Sequence, residues 1–132
     1  MFKKIALLLL VGSCISETTF AVEPKLTKNF KPCLDKAGGV TTDMINCIST
    51  ELKYQDDRLN KAYKALLAEL SIDRKKELQD VQRVWIKYRD ANCKFYYDPN
   101  GGSIVRIASA NCVLEETASR ATELENLRAP YR

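Results

Sequence analysis

The sequence predicts an all-α fold: a three-helix up-down-up bundle with a long antiparallel helical hairpin, an irregular N-terminal arm and two disulfides. Three observations carry this expectation. Over three long segments apolar residues recur every three or four positions, the period of a helix face and not the alternation of a strand. Short turn-like stretches separate these segments, so successive helices should reverse direction. Of the five cysteines, either processing of the N-terminus leaves Cys33, Cys47, Cys93 and Cys112 to pair, an even set in a small chain and the usage of proteins that fold in an oxidising compartment.

The N-terminus reads as an export signal over residues 1–21. Lys3 and Lys4 are a basic start, Ile5 to Val11 an apolar run, and Phe20-Ala21 a small-residue cleavage point. The run is too short to span a membrane. A second processing site competes with the first: Val11-Gly12-Ser13-Cys14 loosely resembles a lipobox, which would put a lipid anchor on Cys14. The favoured cut, after Ala21, removes Lys3, Lys4 and Glu17 and lowers the net charge from +4 to +3. The remaining charges alternate along the helices, with no basic run or aromatic-basic platform of the kind that nucleic acid requires.

Residues 22–40 are punctuated by Pro24, Pro32, Gly38 and Gly39 and read as an irregular arm. The helical domain follows over 41–132. Its first helix, about 42–70, is capped by Thr41 or Thr42 and carries Ile45, Ile48, Leu52, Leu59, Tyr63, Leu66 and Leu70 as its stripe. Ser71 or Asp73 caps a second helix, about 74–96, with Leu78, Val81, Trp85 and Tyr88. Tyr97-Asp98-Pro99-Asn100-Gly101-Gly102 is the clearest loop in the chain. Ser103 then caps a third helix, about 103–127, with Ile104, Ile107, Leu114, Ala118, Ala121 and Leu124.

Polar residues interrupt this apolar pattern. Asp56, Asn60 and Tyr63 crowd one face of the first helix; Gln82, Trp85 and Arg89 one face of the second; Thr117 and Arg120 one face of the third. In a hairpin turning near residue 71, Asp56 faces about position 87, next to Arg89, and Arg120 comes level with Gln82. A partly buried carboxylate needs a cation or several donors, so Arg89 or Arg120 is the expected partner of Asp56. Such a cluster serves either to fix the register of the bundle or to contact a partner.

Catalysis finds no support. The chain has no His, which rules out Ser-His and Cys-His arrangements. A carboxylate held by arginine is a poor general acid, and Asp57 points about 100° away from Asp56 round the helix. No CxxC pair exists to suggest a zinc site, and no cofactor motif is present. For the cysteines, Cys33–Cys47 and Cys93–Cys112 are favoured. Cys47–Cys93 with Cys33–Cys112 is the rival, since position 47 faces about position 96.

Read in order, the motifs are Cys33; Cys47; Asp56-x-x-Leu59-Asn60-x-x-Tyr63; Gln82-x-x-Trp85; Tyr88-Arg89-Asp90-x-x-Cys93; Gly101-Gly102-Ser103; and Cys112 with Thr117-x-x-Arg120-x-x-x-Leu124. This ordered set resembles the LprI-type lysozyme inhibitor family of exported bacterial proteins over about residues 33–127. The resemblance implies a small helical disulfide-containing domain in the periplasm or secreted, and inhibition of a lysozyme as a protein partner. The alternative is a structural or adaptor module of the cell envelope. Animal lysozymes are strongly basic, so an inhibitor is expected to present acidic residues; Glu115-Glu116 and Glu123-Glu125 are the candidates. Tyr96, Tyr97, Gly101, Gly102 and Ser103 form a second candidate contact, aromatic area beside a Gly-rich tip.

Overall fold

A computed structural model describes residues 24–128. The signal segment 1–21, Cys14 and the Ala21 cleavage point lie outside the described residues, which comprise four α-helices and no strand. The helices are α1 (Phe30–Ala37), α2 (Thr41–Glu69), α3 (Ile72–Phe95) and α4 (Gly102–Arg128). No helix among the described residues is long and apolar enough to cross a membrane.

The arm expected to be irregular contains α1. Pro32 sits in the first turn of that helix, where an N–H would have no intrahelical partner anyway. Gly38 takes a left-handed φ of 55° at the C-cap. The Gly38-Gly39 pair is thus the stop signal of a short helix. Asn29 accepts at its carbonyl from Cys33 N at 3.1 Å to open that helix. Of the expected caps, Ser71 does occupy the N-cap of α3, though without a side-chain hydrogen bond, whereas Val40 and not a threonine occupies that of α2.

The packing departs from a hairpin of α2 against α3. The main partner of α2 is α4, while the backbones of α2 and α3 stay apart over most of their lengths. Residue pairings give the directions. Arg58 reaches Thr122 and Glu125, and Ile48 clusters with Leu114, so α2 and α4 run the same way. Gln82 meets Arg120 and Cys93 is bonded to Cys112, so α3 runs back along α4. Between Leu114 and Leu124, α4 is buried towards both neighbours, and Ala118 and Ala121 leave room for α2 to approach.

This central position of α4 rolls both neighbours. The buried face of α2 is Cys47, Ile48, Glu51, Gln55, Leu59, Ala62 and Leu66. At about 100° per residue, its centre lies roughly 50° round from the stripe read in the sequence. On α3 the inward face passes through Leu78, Gln82, Trp85, Arg89 and Cys93, and the expected core residues Val81 and Tyr88 are exposed. Ile104 is exposed as well.

The core has two apolar halves. Phe30, Cys47, Ile48 and Leu114 form one; Leu59, Ala62, Leu66, Leu78, Ala121 and Leu124 form the other. Gln55 and Thr117, both fully buried, make the polar layer between them. The disulfides Cys33–Cys47 and Cys93–Cys112, with Cα separations of 5.8 and 5.4 Å, tie α1 to α2 and α3 to α4.

Candidate functional site

Because α2 and α3 stand apart, a groove of about 490 Å³ opens between them. From α2 come Asp56, Leu59, Asn60 and Tyr63, one helical face by spacing; from α3 come Gln79, Gln82, Arg83, Trp85, Ile86 and Arg89. Six of the eight residues singled out in the sequence therefore line one cleft. The other two, Thr117 and Arg120, lie behind it on α4.

Trp85 is the hub. The guanidinium carbons of Arg89 and Arg120 stand 5.1 and 5.8 Å from its ring centroid, within cation–π range. Arg120, only 5% exposed, donates from Nε to Gln82 Oε1 at 3.1 Å and from Nη1 to Glu123 Oε2 at 2.7 Å. Its Nη2 is buried without a hydrogen-bond acceptor. Arg89 donates from Nη1 to Thr117 Oγ1 at 3.3 Å and pairs with Asp90, Nη2 to Oδ1 at 2.8 Å.

Asp56 pairs with neither arginine. It is exposed on the groove rim and accepts from Asn60 Nδ2 at 3.1 Å. The roll of α2 explains this: the core position falls on Gln55, and Asp56 lands one residue further round, over the gap between α2 and α3.

The buried polar network of α2 was not legible in the sequence as a cluster. Glu51, 5% exposed, accepts from Thr27 N and from Gln55 Nε2, each at 2.8 Å. Gln55 Nε2 also donates to the Lys25 carbonyl at 2.8 Å. Arg58 donates to Gln55 Oε1 at 3.0 Å, to Thr122 Oγ1 at 2.8 Å and to both carboxylate oxygens of Glu125. The hydrogen bond from Arg58 holds the Glu125 carboxyl below its ordinary range, against the opposing effect of burial. The signal was present as polar residues at positions 51, 55 and 58, three and four apart and level with Ile48 and Leu59.

These pairings reduce the expected acidic face. Glu123 and Glu125 are engaged by Arg120 and Arg58, which leaves Glu115 and Glu116, with Glu115 accepting from Asn111 at 2.8 Å. In the α3–α4 loop, Tyr96 and Tyr97 are exposed beside Phe95, itself 89% exposed. The Asp98 side chain accepts from Asn100 N, and its carbonyl from Gly101 N. A Cβ on Gly101 would meet Val105 Cγ1 at 2.5 Å, and Gly102 opens α4 at φ 72°. Ser103 follows inside the helix and is not its cap.

This combination of a Trp85-centred polar groove with two disulfides lies within a stretch that matches a family model, described as lysozyme inhibitor LprI, over residues 33–124. The chain belongs to the LprI family. The match takes in the groove, both disulfides and the Gly-rich loop of this LprI chain. Among curated proteins, an uncharacterized protein of Rhizobium meliloti (strain 1021) is 30% identical over 100 residues, covering 64% of the LprI chain and 71% of the relative. No solved structure matches it.

Proposed function

We propose that this protein is exported to the cell envelope and acts as a stoichiometric inhibitor of a lysozyme-type muramidase, by binding and not by catalysis. The family match over residues 33–124 carries the reading. Two disulfides, which persist in oxidising compartments, and the lack of a membrane-crossing helix among the described residues accord with a periplasmic or secreted location.

Within this reading the α2–α3 groove is the favoured contact. Asp56 is exposed with one donor, so its carboxylate has capacity for a cationic side chain of a basic enzyme. Trp85 gives the groove an aromatic floor, and Tyr96 and Tyr97 offer exposed aromatic area at the loop. Arg120 bonds to Gln82 and lies over the Trp85 ring, which holds that floor in place.

The oxidised protein should slow cell-wall lysis by c-type or g-type lysozyme at near-equimolar ratios. Unimpaired lysis by both would refute inhibition. The second reading, a structural or adaptor module of the envelope, is favoured by the inward bonding of Arg120 and Gln82, which serves the fold whatever the partner. It predicts recovery of an envelope protein with this chain and no effect on lysozyme.

A further inference from the structure

We propose that the outward face of α3 is a self-association surface, on which two copies of this chain pair antiparallel. Besides its inward face, α3 carries a second apolar stripe: Val81, Val84, Tyr88, Ala91 and Phe95, at steps of three, four, three and four. That is the spacing of a two-helix seam. At about 100° per residue the five side chains span roughly 80° of the helix. All five are exposed, Val84 at 67%. Single exposed apolar residues are ordinary, but a continuous stripe at seam spacing is the pattern of an interface.

The residues beside the stripe select the occupant and its direction. On one flank lie Leu78, Trp85 and Asn92, turned towards α4: Leu78 is buried and Asn92 contacts Cys112. The other flank, Asp80, Lys87 and Lys94, is exposed, with Asp80 in an ion pair with Arg83 of its own helix. Reversing one helix against its copy sets the two charged flanks against each other and the two α4-facing flanks together on the far side, whereas a parallel pair would set each charged flank against an uncharged one. In the antiparallel register Val84 lies opposite Tyr88 of the second copy and Val81 opposite Ala91. Asp80 of each copy then meets Lys94 of the other, while Lys87 meets its own copy. Two unlike pairs thus stand against one like pair. A strongly basic partner would instead face Lys87 and Lys94, so this face suits a second copy better than a lysozyme.

Sedimentation equilibrium of the oxidised protein at rising concentration tests the proposal. A monomer–dimer equilibrium is expected. Val84→Asp should raise the dimer dissociation constant by about tenfold or more, because the seam would bury an unpaired charge, with helical circular dichroism unchanged. Lys94→Asp should weaken the dimer, and adding Asp80→Lys should restore it. A monomer at every concentration, or a dimer indifferent to Val84→Asp or to the charge exchange, would overturn the proposal. Loss of lysozyme inhibition in Val84→Asp without any dimer in the parent protein would overturn it too, giving the stripe to another partner.

Discussion

Arg58 of α2 grips Glu125 of α4 at two points, Nε to Oε1 at 2.7 Å and Nη2 to Oε2 at 2.5 Å, across 67 positions of sequence. The same guanidinium reaches Gln55, Thr122 and the Lys25 carbonyl, so one side chain joins the N-terminal arm, α2 and α4. Arg58→Ala should cost about 1–2 kcal/mol, the ion pair being partly open to solvent and the remaining bonds being neutral. A thermal melt should show Tm lowered by roughly 5–10 °C.

Acid should weaken the same junction. The Glu125 pKa is depressed in the folded state by its bond from Arg58. Its contribution is therefore present above the unfolded pKa and is lost as pH falls through the folded one. Denaturant titrations from neutral to acidic pH should show a smaller loss of stability for Glu125→Gln than for the parent. An identical pH profile would remove Glu125 from the account.

Arg120 and Asp56 should behave oppositely. Arg120→Ala strips Gln82 and Glu123 of a buried partner and leaves a cavity beside Trp85, at a cost of about 2–3 kcal/mol. Tryptophan emission should shift with it, Trp85 being the single tryptophan. Asp56→Ala removes an exposed bond to Asn60 within α2 and should change stability by less than about 0.5 kcal/mol. If the groove contacts lysozyme, this variant keeps its melting temperature and loses inhibition.

The Gly-rich loop should resist small additions. Gly101→Ala drives a Cβ against Val105, and Gly102→Ala strains a left-handed backbone by about 1 kcal/mol. Chemical denaturation of each variant should show a lower midpoint.

Removing Cys93–Cys112 by a double Ala substitution should cost about 2–4 kcal/mol, since it frees the loop between α3 and α4 in the unfolded chain. Unfolding with and without reductant on the parent protein gives the matching comparison.

The sequence by itself determined the helical class, the three long helices to within a few residues, and six of the polar and aromatic residues that line the α2–α3 groove. These follow from local physics: a 3.6-residue period, turn chemistry at Asp98 to Gly102, and spacings of three and four. Even α1 had its signal in Gly38, obscured by Pro32, which reads as a breaker unless it falls in a first turn. Tertiary structure alone decided which helix is central. Once α4 lies between its neighbours, α2 rolls until Gln55 is buried and Asp56 is not, and α3 rolls until Arg89 faces Thr117 and Val84 faces solvent. A roll of half a residue leaves the apolar period intact, so periodicity cannot register it. Only the competition among three helices for buried area, with hydrogen bonds such as Arg58 to Glu125 and Arg120 to Gln82 to satisfy, sets the angle.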